Sequence, residues 1–139
     1  MRKYVLLAVL ALVVVTLFAV TAAPASATTF VPKSPGYWMN HPGAWLNGGV
    51  CIGGHFYTTA EAIPLMKAPV AGDMRYAVFQ ALAAAEQNKA HGAGDYWDGG
   101  LNAFMADNGP FPGGVAVLAS SAAFQAIAYP YTVLGTWWD

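Results

Sequence analysis

Asp73-Met74-Arg75-Tyr76-Ala77-Val78-Phe79-Gln80-Ala81-Leu82-Ala83-Ala84-Ala85-Glu86-Gln87-Asn88-Lys89-Ala90-His91-Gly92 is the strongest helical signal in the chain. Ala, Leu and Gln, which give up little side-chain freedom in a helix, recur throughout it. Asp73, after Gly72, can accept from the free N–H groups of a first turn, and Gly92 supplies a left-handed stop. Tyr76, Phe79, Leu82, Ala83 and Glu86 recur at helical spacing on a mainly apolar face. Lys89 and His91 fall at the negative end of the helix dipole, a position that accounts for His91 without a metal. The stretch predicts one long helix over Met74–His91.

Immediately upstream, Thr58-Thr59-Ala60-Glu61 fits a capping box and opens a shorter helix through about Lys67, bent or shortened by Pro64. Before it, Val50-Cys51-Ile52 and His55-Phe56-Tyr57 are β-rich triplets separated by Gly53-Gly54, which reads as a two-residue hairpin. The implied register pairs Ile52 with His55, Cys51 with Phe56 and Val50 with Tyr57. Alternation then puts Cys51 and Phe56 on one face and His55 on the other, which argues against a Cys51/His55 catalytic dyad. Cys51 is the sole cysteine, so the domain has no internal disulfide. Flanked by Val50 and Ile52, it is expected to be buried, the alternative being pairing between chains.

Downstream, Asp95 can cap a helix from Tyr96 to about Asn108, with Trp97, Leu101, Phe104 and Met105 as its apolar stripe. Gly99 and Gly100 weaken its first turn by about 1 kcal/mol each. Phe111-Pro112-Gly113-Gly114 is a loop, and Val115 to Tyr129 reads as a last helix, with Ser120 and Ser121 marking a cap or break and Pro130 as the stop. The predicted fold class is mainly α with one small β-hairpin. About four helices pack around Phe79, Leu82, Leu101, Phe104 and Met105 in a single small domain.

Ser34-Pro35-Gly36-Tyr37-Trp38-Met39-Asn40-His41-Pro42-Gly43-Ala44-Trp45 is the segment densest in side chains that both recognise and rigidify. Residues 28–33 lead into it as extended chain, because Pro32 and Pro35 bias their predecessors away from helix. Asn40 suits a helix N-cap with Pro42 in the first turn, leaving Trp38 and Trp45 on either side of one short turn. Two readings stand side by side. In one, Tyr37, Trp38 and Trp45 plug an end of the core while His41 bonds to backbone. In the other, Tyr37, Trp38, Asn40, His41 and Trp45 form a binding surface of aromatic faces and a polar pair.

The first residues read as an export signal. Arg2 and Lys3 precede an uncharged apolar run from Tyr4 to Val20, followed by small residues and Ala25-Ser26-Ala27. This pattern predicts a signal peptide over 1–27 and an exported domain over 28–139, with Ala23-Pro24-Ala25 as a second exit. Retention of the segment as a membrane anchor is the alternative, since Tyr4 to Ala23 is long enough to span. Without the leader, Lys33, Lys67, Arg75 and Lys89 face seven acidic residues. The exported part is therefore net negative and has no basic stripe, which argues against a nucleic-acid partner.

Beside Gly36 to Trp45 stand Ile52-Gly53-Gly54, Tyr57-Thr58, Glu61-Ala62-Ile63, Pro69-Val70-Ala71-Gly72-Asp73 and Phe79 to Asn88. In that order and spacing, over about Pro35 to Ala106, the chain resembles an uncharacterised family of secreted and cell-surface bacterial and archaeal proteins. These carry a Gly-Tyr-Trp-Lys-Asn-His-Pro-Glu-Ala-Trp motif followed by an Ile-Gly-Gly hairpin. The resemblance implies an extracellular module and supplies no reaction. Met39 and Gly43 replace the family's usual Lys and Glu, and Glu86 and Gln87 its usual Lys and Leu. Any activity needing the Lys-Glu pair would have lost both partners here.

The residues themselves favour binding over catalysis. His41, His55 and His91 lie on separate elements without ligand spacing, so no metal or other cofactor is expected. Asp95, Asp98, Asn102, Asp107 and Asn108 lack the alternation of a calcium loop and suit caps and turns. Asp95 with Asp98 is capping rather than a glycosidase pair. No nucleophile elbow, phosphate loop or dinucleotide fingerprint occurs. The expected function is a secreted, non-enzymatic extracellular or cell-envelope protein acting through protein or glycan contacts, or with copies of itself as a surface subunit. A membrane is a partner only if the leader is retained. The alternative is a small metal-dependent hydrolase using His41.

Overall fold

The computed structural model describes residues 29–138. The expected signal segment, both of its exits, the anchor alternative and the boundary at 27/28 lie outside these residues. Six helical segments and one hairpin follow in order: α1 (Pro35–Asn40), β1 (Gly49–Ile52), β2 (His55–Thr58), α2 (Thr59–Lys67), α3 (Met74–Ala90), α4 (Leu101–Asp107), α5 (Ala122–Gln125) and α6 (Ala128–Gly135). Short 3-10 turns occupy Pro42–Ala44 and Thr136–Trp138. The protein is mainly helical with one two-stranded antiparallel sheet, as its sequence predicts.

The long helix α3 is the axis, contacted by α1, β1, α2, α4 and α6. Its burial goes beyond the amphipathic stripe expected from spacing. Ala81, Leu82, Ala83, Ala84 and Ala85 are all buried, and five consecutive helical positions point in every direction around the axis. Four of those five side chains are single methyl groups, which lets neighbours approach α3 from all sides. Phe79 and Leu82 are fully buried, at about 1.5–3 kcal/mol of hydrophobic stabilisation each. Leu101, Phe104 and Met105 of α4 join them in the core. Tyr76 and Glu86, assigned to the apolar face, are half-buried.

The hairpin has the register read from its sequence, with Val50 opposite Tyr57, Cys51 opposite Phe56 and Ile52 opposite His55. Gly53 and Gly54 take φ of 59° and 78°, the two left-handed residues that a tight turn of this hand requires. Val50, Ile52 and Tyr57 face the core. Cys51 and Phe56 face outward, and Cys51 is exposed, which corrects its expected burial. In a strand, buried neighbours on both sides indicate that the residue between them points away.

Thr58 and Glu61 form the full capping box of α2. Glu61 is held below the ordinary carboxylate range by the Thr58 N–H and then by its hydroxyl. The helix runs through Pro64 to Lys67. At the start of α3, Asp73 accepts from the Arg75 N–H at 3.1 Å. The helix ends at Ala90, one residue short of the predicted end, with His91 as its C-cap.

After α3 the chain departs from the sequence reading. Residues 93–98 form no helix, and α4 starts only at Leu101. Gly100 stands at the N-cap, and Asp98, rather than Asp95, holds the helix start, accepting from the N–H of Gly100 at 3.1 Å and of Asn102 at 3.0 Å. Trp97 therefore leaves the expected apolar stripe and is 54% exposed. Of the predicted last helix over Val115–Tyr129, residues 115–121 are not helical, and the expected cap or break is Ser121, whose Oγ accepts from Phe124 N–H at 3.2 Å to open α5. Val117 instead pairs with the start of α3, its carbonyl accepting from Met74 N–H at 2.7 Å and its N–H donating to Asp73 Oδ1 at 3.2 Å. Pro130, expected to end a helix, is the third residue of α6. First-turn N–H groups have no partner within the helix, so a proline there removes nothing. Among the described residues no helix is long and apolar enough to cross a membrane.

Candidate functional site

The segment from Ser34 to Trp45 folds as two short helical turns in succession. Ser34, rather than Asn40, caps α1: its backbone is extended (ψ 161°) and its Oγ accepts from Tyr37 N–H at 3.3 Å. Pro35 occupies the first helical position, where its fixed φ is favourable. Asn40 closes the helix instead, donating through Nδ2 to the Gly36 carbonyl at 2.8 Å. Pro42 opens the following 3-10 turn, and Trp38 and Trp45 flank that turn as expected.

The turns separate the five candidate residues into an inner and an outer set. Trp38 is completely buried and donates its indole N–H to Asn88 Oδ1 of α3 at 3.1 Å. Trp45 is 9% exposed and donates its own indole N–H to the Trp38 carbonyl at 2.9 Å. Asn88 also accepts from Lys33 N–H at 2.7 Å and donates to the Lys33 carbonyl at 2.8 Å. Beside it, Gln87 accepts from Leu46 N–H at 2.8 Å and donates to the carbonyls of Leu46 and Gly49. Two buried amides on α3 thus grip the backbone before and after the motif. Sequence reading did not find them, although two consecutive amides on a helix otherwise lined by alanine are a readable oddity.

Tyr37, Asn40 and His41 form the outer set, with Asn40 and His41 exposed and Tyr37 half-buried. The rings of Tyr37 and His41 stack with centroids 4.0 Å apart and planes within 14°. His41 donates through Nδ1 to the Tyr37 carbonyl at 2.8 Å, which fixes its tautomer and leaves Nε2 as an acceptor. Lys33 Nζ lies 5.8 Å from the Tyr37 ring centre, within cation–π range. Met39 packs partly against the core. A side chain added at Gly43 would meet nothing within 4 Å.

The other histidines are elsewhere. His91 donates through Nε2 to the Ala44 carbonyl at 2.9 Å and forms a triangle of rings with Phe30 (4.9 Å, stacked) and Trp38 (5.1 Å, tilted). It is a strut under the motif, a role its place at the end of α3 did not reveal. His55 is exposed at the turn end of the hairpin, on the same side as Tyr57 with its ring 4.6 Å away, while Cys51 is exposed on the opposite side. Among the described residues no group of three or more His, Cys, Asp or Glu side chains could hold a metal ion. The arrangement offers a rigid amphipathic patch of one aromatic pair, one amide and one cation. Compared with protein-family models, with curated proteins and with solved structures, the chain matches none of them.

Proposed function

We propose that residues 28–139 are an exported, non-enzymatic binding domain of the extracellular space or cell envelope. It acts through contacts with an envelope protein or glycan, or with its own copies, and the outer face of α1 is its contact surface. The observation that supports this reading most is the stacked Tyr37–His41 pair standing outside an anchored turn. Trp38 and Trp45 tie that turn to the core through their indole N–H groups, so the half-buried Tyr37 ring and the exposed His41 ring are already ordered before any partner arrives. A pre-ordered aromatic patch loses little conformational entropy on binding, which is why such residues concentrate affinity. The leader-like first residues support export.

The test is retention of the purified protein on envelope fractions of its own cells, some stripped of protein and others of glycan. The double variant Tyr37→Ala/His41→Ala is expected to lose retention by at least about tenfold while remaining a folded, cooperatively melting domain. The two stripped fractions separate a protein from a glycan partner, and gel filtration reads self-contact. Retention unchanged in the double variant would remove α1 as the contact surface.

A further inference from the structure

Beyond α1, the half of the chain that departs from its sequence reading builds a second aromatic surface. A groove of about 320 Å³ is lined by Asp95, Tyr96, Trp97, Val133, Thr136 and Trp137. Its size falls at the lower end of small-ligand clefts, roughly 300–1,000 Å³. Trp97 is 54% exposed, and its ring meets that of Tyr129, itself 72% exposed, at 6.0 Å and 65°.

The loop that carries Trp97 is fixed in place. Gly99, at φ 55°, lets the loop press against Pro130: a Cβ there would lie 2.4 Å from Pro130 Cβ and 3.3 Å from Trp97 Cζ2. Tyr96 donates its hydroxyl to Glu86 Oε1 at 2.7 Å, and its ring lies 5.9 Å from Trp137. Burial, then the Glu86 hydrogen bond and charge, push the Tyr96 phenol far up, so it stays a neutral donor. Asp98 holds the loop through Gly100 and Asn102.

The polar groups at the groove define the ligand. Asp95 pairs with Lys89 at 2.8 Å, its side chain 81% exposed, which offers hydroxyl groups an acceptor and a donor together. The Thr136 hydroxyl donates to Val133 O at 2.8 Å and keeps its lone pairs open to a donor. Among the described residues, the charged groups around the groove are Lys89 against Asp95, Asp98 and Glu86, an excess of negative charge that opposes an anionic ligand. Flat aromatic faces bordered by hydroxyl-binding groups match a pyranose, whose C–H face is apolar and whose edge is all hydroxyl. We propose that the groove between Trp97 and Trp137 binds a neutral carbohydrate, a β-linked chain of glucose or N-acetylglucosamine units whose equatorial substituents leave both ring faces flat. The proposal rests on the exported-domain reading only for where such a chain would be met. The groove is a different surface from α1.

The test is calorimetric and tryptophan-fluorescence titration of the purified protein with cellohexaose, chitohexaose and the acidic hexamer of galacturonate. At least one neutral sugar is expected to bind saturably and the acidic one not to bind. Trp97→Ala should weaken binding by about tenfold or more and Asp95→Asn by about threefold, with unchanged melting. Phe56→Ala, an exposed ring elsewhere, and Tyr37→Ala should leave sugar affinity within about twofold, so failure of the α1 reading does not touch this one. No binding of either neutral sugar at about 5 mM, equal binding of the acidic hexamer, or a Trp97→Ala affinity within about twofold of wild type would each overturn it.

Discussion

The two ends of α3 perform the same task with opposite chemistry. At the N-terminal end a charged pair does the holding. Asp73 takes Arg75 Nη2 at 2.6 Å, and Arg75 Nη1 reaches the carbonyls of Asn108 at 2.9 Å and Pro110 at 3.2 Å. At the C-terminal end two neutral amides, Gln87 and Asn88, grip Leu46 and Lys33 by both N–H and C=O. Each end ties α3 to chain more than 30 residues away, the charged end to the loop before α5 and the amide end to the α1 motif. The difference lies in what can switch them off. A charged clamp depends on protonation, whereas an amide clamp is indifferent to pH. The Ser34–Trp45 segment is carried by the amide end, with His91 bracing it through the Ala44 carbonyl.

Breaking the charged clamp should have the largest effect. Arg75→Ala leaves Asp73 buried without its partner and two loop carbonyls unmet, an expected loss of about 4 kcal/mol in denaturant unfolding. Asn88→Ala is expected to lose about 3 kcal/mol, because the Trp38 indole and both polar groups of Lys33 lose their partner. In that variant the loss should appear first as faster hydrogen exchange around α1, since the clamp at the other end is intact.

Acid should tell the two ends apart. Burial pushes the Asp73 carboxyl up, but the Arg75 side-chain hydrogen bond, the Val117 and Arg75 N–H groups and the Arg75 charge outweigh it, so it lies below its ordinary value. A lowered folded-state value means the stabilisation is complete above the unfolded pKa of about 3.9 and is lost as pH falls through the folded one. Melting temperature should therefore fall below about pH 4 in the wild type. Asp73→Asn should cost about 2 kcal/mol at neutral pH and flatten that acid decline, with no matching change for Asn88→Ala. The smallest effect is expected at the motif's edge. Gly43→Glu places an acidic side chain in open space and should change stability by less than about 0.5 kcal/mol.

These clamps also explain which parts of the fold could be read in advance. The hairpin, the capping box and α3 are written in local residues: Gly53-Gly54 demands a turn, and Thr58 and Glu61 satisfy each other. Residues after His91 answer to distant partners. Val115 to Ala119 contains ordinary helix formers, yet Val117 is taken by Asp73 and Met74, more than 40 residues earlier. Trp97 has helical spacing to Leu101, but Gly99 and Gly100, at φ of 55° and 91°, break the path between them. In the candidate site, Ser34 and Asn40 are both good caps followed by proline or a residue before proline, and local preference does not choose between them. Nor can it tell Trp38 from Tyr37, because the inward choice depends on Asn88 lying 50 residues on.

The outward face of the hairpin has a practical consequence. The chain holds one thiol, Cys51, and it stands exposed across from Phe56 with its backbone locked in register. A fluorophore or spin label coupled there occupies a single known position, on the side of the sheet turned away from the core. Because strand pairing fixes its anchor, such a probe would follow the tumbling of the whole domain, and its slowing would count captured partners directly.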